Sequence, residues 1–125
     1  MPDFDIDSAL ENCSAVPPDF ACPDGLSPKG AEAWEAIVTL LREKDDLKSG
    51  GHTNVFYSPA AWLDRGEDYG RGSELIILHD GGNHACYFNG DYECYSAVEA
   101  MRQALEQHGL YTEPCTSWYS AVYKI

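Results

Sequence analysis

Two short stretches constrain this chain more than any other feature: residues 75–78, Leu-Ile-Ile-Leu, and residues 118–123, Trp-Tyr-Ser-Ala-Val-Tyr. Successive side chains of a strand point to opposite faces, so a half-exposed strand alternates apolar with polar residues. Here both faces of each stretch carry apolar or aromatic groups. The second stretch must therefore lie centrally in its sheet or be covered, and the two together offer apolar surface on which copies of the chain could associate. The longest apolar run, 75–78, is far too short to span a bilayer.

Helix punctuation frames these strands. Ser27-Pro28 opens a first helix, because serine can cap unpaired backbone amides and proline suits a position whose N–H would go unused. Trp34, Ile37, Val38 and Leu41 then recur at three- and four-residue spacing, the stripe of a helix facing a core. Gly50-Gly51 end that segment, and residues 54–57 read as a short strand. Ser58-Pro59 repeats the start signal for a short helix through Trp62-Leu63 that stops near Gly66. Asp91 is placed to cap a second long helix with the stripe Cys94, Ala97, Val98, Met101, Ala104, Leu105 and His108. Gly109 then supplies a left-handed C-cap, with Leu110 closing on Leu105.

Between the helices, Glu74 to His79 reads as a strand and His84 to Asn89 as its hairpin partner. Gly81 and Gly82 can both adopt positive φ, which a two-residue type I′ turn requires. That register sets His79 opposite His84 and Ile77 opposite Cys86. The element order predicts a small single-domain α+β fold, an antiparallel or mixed sheet of about four strands with two main helices on one face. From the first strand onward it also fits the split β-α-β-β-α-β order of ferredoxin-like sheets, with an extra N-terminal helix. The domain is expected over residues 27–125. Residues 1–26, with Pro2, Pro17, Pro18 and Pro23, are expected to form an acidic tail that is partly ordered at most.

Charge restricts the partners. The chain has 21 Asp and Glu against 8 Lys and Arg, a formal net charge of −13. Such a field repels nucleic acid and anionic membrane and attracts basic protein surfaces. With 44% hydrophobic and 12% aromatic residues, the acidity does not signal wholesale disorder. Cys13, Cys22, Cys86, Cys94 and Cys115 make an odd count without CxxC, and the acidic N-terminus lacks the apolar core of a secretory signal. A cytoplasmic protein with reduced thiols is expected.

Candidate chemistry is sparse. In the hairpin register His79 and His84 share a face about 5 Å apart, and Cys86 lies on the same face, a set that could hold a divalent metal. The commoner reading is two turn-proximal histidines that bind nothing. Cys86 or Cys94 could act as a nucleophile, but both fall on apolar stripes where cysteine is a small core residue. Asp3, Asp5 and Asp7 lack the glycine and the closing glutamate of a calcium loop. The glycines form no phosphate-binding pattern. No cofactor is expected.

The remaining signal is interfacial. Tyr111, Trp118, Tyr119 and Tyr123 crowd the C-terminal region, and Asp64, Glu67 and Asp68 cluster in one polar stretch. Tyr and Trp cover large areas with few rotors and keep a polar tip, which favours them at protein interfaces. The expected function is a non-enzymatic acidic binding module, an inhibitor or immunity-type protein docking on a basic nucleic-acid-binding surface. The alternatives are a homodimeric interaction domain built through its two-sided apolar strands, and a small metal- or thiol-dependent enzyme at His79, His84 and Cys86.

Overall fold

The computed structural model describes residues 16–49, 54–67 and 69–125. Helix α1 spans Pro28–Glu43, strand β1 Phe56–Tyr57, helix α2 Pro59–Asp64 and strand β2 Leu75–Leu78. Helix α3 (Tyr95–Glu106) and strands β3 (Leu110–Pro114) and β4 (Tyr119–Lys124) follow. Both Ser-Pro signals act as expected. The Ser27 hydroxyl accepts from the Gly30 N–H at 3.0 Å, and that of Ser58 accepts from the Ala61 N–H at 3.1 Å. Gly109, at φ 71°, turns the chain out of α3 and into β3.

One antiparallel sheet with strand order β1-β2-β4-β3 organises the chain. The two-sided strands take its centre: Leu75 pairs with Val122, Ile76 with Ala121, Ile77 with Ser120 and Leu78 with Tyr119. On one face, α1 and α3 pack against each other and against the sheet. There Leu75, Ile77, Leu110 and Val122 meet Ile37, Leu41, Met101 and Leu105 in one core. On the other face, Trp62 of α2 covers Ile76, Leu78, Tyr119 and Ala121. The α+β class, the four antiparallel strands and the two main helices on one face match the sequence expectation.

The hairpin does not form. Residues Asn83–Tyr87 make a 3₁₀ turn instead of a strand. β2 already has β1 on one edge and β4 on the other, so no edge remains for residues 84–89. Gly81 takes φ 80°, but Gly82 takes −87°, so the paired positive angles of a type I′ turn are absent. The fourth strand is residues 110–114, which carry no clean apolar alternation. Without a parallel β-α-β crossover, the sheet does not have the ferredoxin-like split arrangement.

Two segments adjoining the long helices complete the fold. Phe20 is fully buried within the helix-side core, Val55 donates to the Asp19 carbonyl at 2.7 Å, and Trp34 Nε1 donates to the Phe20 carbonyl at 2.9 Å. Val16, Phe20 and Leu26 thus pack on the helix-side core, the ordered part of the expected tail; residues 1–15 lie outside the described residues. Asp91 does not cap α3. It lies in a separate 3₁₀ turn, Gly90–Tyr92, whose N-cap is Asn89, and α3 begins after Cys94.

α1 seats on β2 at its first turn. Ser27 donates to the Glu74 carboxylate at 2.6 Å, and a Cβ on Gly30 would lie 2.4 Å from the Glu74 carbonyl oxygen. That neighbour is backbone and cannot swing aside. Gly30→Ala should therefore destabilise the protein by about 1–3 kcal/mol, although alanine improves helix propensity by about 1 kcal/mol at an unconstrained site. Urea unfolding measures this, and a rise in stability would show that the helix can lift off the strand at no cost.

Candidate functional site

The pleat sorts the sheet residues before any chemistry is considered. Tyr57, Ile76, Ala121 and Glu113 form one continuous row across all four strands on the face away from α1 and α3. Leu78 and Tyr119 lie on one side of this row, Tyr111 and Tyr123 on the other. The Trp62 ring sits 4.9 Å from Tyr119, 5.0 Å from Tyr57 and 5.7 Å from Trp118. Such tilted and edge-on pairs add about 0.5–1.5 kcal/mol each beyond their buried area. Arg65 lies 4.4 Å above the Trp62 ring and 5.5 Å from that of Tyr57, and its Nε is 3.4 Å from the Glu67 carboxylate. The short helix is thereby clamped by stacking, cation–π attraction and charge.

Of the seven residues expected to bind a partner, Tyr111, Trp118, Tyr119 and Tyr123 lie at this face, and Asp64 and Glu67 sit at the end of the helix that covers it. Asp64 ends α2 and is exposed, Glu67 follows it, and Trp118 is half-buried at the start of β4. Tyr111 stays 40% exposed and stacks on half-buried Tyr123 at 5.6 Å. Tyr119 is only 1% exposed, so it supports Trp118 and Trp62 from beneath and is not itself accessible. Asp68 lies outside the described residues. Sequence reasoning missed Tyr57, Arg65 and Glu113. Register was the missing signal, since Glu113 reaches this face only because residues 110–114 form a strand. Burial pushes the Tyr123 phenol above its ordinary value, and the neighbouring Cys115, Glu113 and tyrosines add to the shift.

The proposed metal set is not assembled. His79 and His84 are both fully buried, but they do not form a cross-strand pair. His79 Nε2 lies 2.9 Å from the Ser120 hydroxyl, and its ring stacks on Phe88 at 5.8 Å. His84 Nε2 lies 2.6 Å from the Leu78 carbonyl oxygen, which can only accept, so that nitrogen carries the hydrogen. Its imidazole thus caps the end of β2, and a Cβ on Gly82 would lie 2.4 Å from it. Cys86 turns away, toward Cys94. Among the described residues no group of three or more His, Cys, Asp or Glu is placed to hold a metal ion.

A second feature was legible in the sequence only as two separate core cysteines. Cys86 on the 83–87 turn and Cys94 at the N-cap of α3 bring their sulfurs to 2.7 Å. A groove of about 600 Å³ opens beside them, lined by Asp46, Gly82, Asn83, Tyr87 and Tyr92 among others. The Tyr87 hydroxyl donates to the Asp46 carboxylate at 2.5 Å, and burial followed by that bond pushes the phenol well up. The Cys86 thiol rises from its ordinary 9.0 to about 11, first through its hydrogen bond with Cys94 and then through burial.

Together these features define a small α+β protein with an aromatic, acid-rimmed sheet face and a separate dithiol groove. No family model, no curated protein and no solved structure matches the chain. Among the described residues, no helix is long and apolar enough to cross a membrane.

The raised Cys86 thiol has a sign for stability. Between pH 9 and about 11 the unfolded chain has lost this proton and the folded chain retains it. Stability from this group is therefore complete below pH 9 and declines as pH rises toward 11. Under reducing conditions, the urea midpoint of the wild type should fall more steeply over that window than that of Cys86→Ser. Parallel curves would show that the thiol does not keep its proton on folding.

Proposed function

We propose that this protein is a non-enzymatic acidic binding module whose outer sheet face docks on a basic protein surface. In the form we favour, it is an inhibitor or immunity-type protein covering a nucleic-acid-binding surface. The observation that supports the reading is that Trp118, Tyr111, Tyr123 and Glu113 lie on the outer side of the sheet, with Asp64 and Glu67 at the end of the short helix that covers it. Rings would supply the packed, desolvated centre of the contact. Carboxylates at the rim would replace phosphates and steer the encounter. The net charge of −13 sets the sign of the partner.

The motive for self-association is weaker than the sequence implied. Residues 75–78 and 119–122 are buried on both faces within one chain, by the two long helices on one side and by Trp62 on the other. The aromatic rim that remains is flanked by acids, and two copies meeting through it would set like charges together.

The test is capture from lysate of the source organism at about 50 mM salt, eluted in steps to about 500 mM. Wild type and an Asp64→Lys/Glu67→Lys double variant are run side by side, and the captured protein is then purified for direct titration. A basic protein should bind the wild type, weaken steeply with salt, and bind the charge-reversed variant at least about tenfold less tightly. Tyr111→Ala, at an exposed sheet edge, should weaken the same purified pair with unchanged circular dichroism. Equal binding by wild type and charge-reversed variant, or affinity independent of salt, overturns the proposal.

A further inference from the structure

The sharpest unexplained juxtaposition in the molecule is the thiol pair, which lies away from the aromatic face. The chain leaves the 83–87 turn at Tyr87, doubles back through the Gly90–Tyr92 turn, and delivers Cys94 to Cys86. This reversal is built rather than incidental. Asn89 accepts from the Asp91 N–H at 2.9 Å to cap the turn, and Glu93 takes a left-handed φ of 60°, unfavourable for a residue with a Cβ. Cys94 makes no side-chain hydrogen bond to the start of α3; its sulfur is directed at Cys86. A sulfur separation of 2.7 Å lies well inside ordinary contact and within reach of the roughly 2.05 Å bond. The other described cysteines are elsewhere, Cys22 exposed before α1 and Cys115 against the aromatic cluster.

We propose that Cys86 and Cys94 are a reversible disulfide site, oxidised by exchange with a low-molecular-weight disulfide that enters through the adjoining groove. Both thiols are half-buried and border that space, and Gly81 and Gly82 keep part of its wall low. Cys94 gives up its proton, and its sulfur attacks one sulfur of the incoming RS–SR. One RS⁻ leaves and takes up that proton. Cys86 then attacks the Cys94 sulfur of the mixed disulfide, releases the second RS⁻ and supplies its proton. The protein dithiol is oxidised by two electrons, and one RS–SR becomes two RSH.

The environment divides the two roles. Cys86 packs against the helix-side core, whereas Cys94 stands between exposed Glu93 and Tyr95, so an incoming disulfide meets Cys94 first and Cys86 is left to resolve the mixed disulfide. The bond would tie the 83–87 turn, which carries the His84 cap of β2 and the Tyr87–Asp46 contact, to the start of α3. By shortening the accessible unfolded chain it should raise the thermal midpoint by roughly 5–10 °C.

Exposing the full native chain to glutathione disulfide, followed by alkylation and peptide mass mapping, tests the site. The expected product is lighter by two hydrogens, carries a Cys86–Cys94 linked peptide, melts higher, and reverts with dithiothreitol. Cys86→Ser should stop at a glutathione adduct on Cys94, and Cys94→Ser should leave Cys86 without one. The proposal is overturned if native Cys86 and Cys94 remain separately alkylatable, if the wild-type linkage appears only in denaturant, or if the adducts fall on other cysteines.

Discussion

Everything in this fold depends on two central strands that must be kept dry on both faces. β2 and β4 bury Leu75, Ile76, Ile77, Ala121 and Val122 completely, and a single layer of helices can cover only one side. At about 25 cal/mol per Å² of apolar surface, leaving Ile76 and Leu78 wet would forfeit on the order of 2–3 kcal/mol each. The chain meets this requirement unequally. Two long helices cover one face, and a six-residue helix with one tryptophan covers the other. So short a helix has little stability of its own. It is held by the Ser58 cap, by Trp62 wedged among three aromatic rings, and by Arg65 above them.

That inequality explains where aromatic surface remains. One tryptophan shields the centre of the outer face but does not reach the β3 edge, so Tyr111 and Tyr123 stack in partial contact with solvent. Glu113 and Pro114 occupy the same edge strand. Charge and proline are both common means of keeping an edge strand from pairing with another chain. An aromatic surface bordered this way would disfavour its own copy and suit a partner of opposite charge, which is the physical content of the proposed docking.

How much of this was readable depended on the range of the interaction. The Ser27 and Ser58 caps, the stripe of α1 and the turn at Gly109 are settled within a few residues, and the sequence shows them directly. Strand partnership is a competition over long separations. Gly81-Gly82 followed by an apolar segment resembles a hairpin, but β4 occupies the available edge of β2 from more than 40 residues away. Once displaced, residues 83–87 coil into a 3₁₀ turn and use a buried histidine to satisfy the Leu78 carbonyl. The candidate contact residues were legible as types because Trp, Tyr and acids are informative by themselves. Glu113, Tyr57 and Arg65 were not, since only register and the seating of α2 bring them to that face. The cysteine pair was hidden by the same misreading: in a hairpin Cys86 faces Ile77, and only the 3₁₀ turn frees it to meet Cys94.

The charge of the chain acts on a different link from its packing. Lys29 pairs with Glu32, Lys48 with Asp45, and Arg102 with Glu99 and Glu106, all on exposed helical or turn surface. Such pairs contribute little to stability in water, although the Arg102 guanidinium holds the Glu99 carboxyl below its usual range. They do, however, engage several of the few bases locally, so the surplus carboxylates set the field seen at a distance. That field falls off over roughly 10 Å at moderate salt, which makes it effective in guiding an encounter and weak in holding a complex. Retention would have to come from the rings at the sheet edge, where desolvated area is large and rotor entropy small. In the proposed docking the two tasks would therefore be separate: the acids would govern how fast and how salt-dependently a basic partner arrives, and Trp118, Tyr111 and Tyr123 how long it stays.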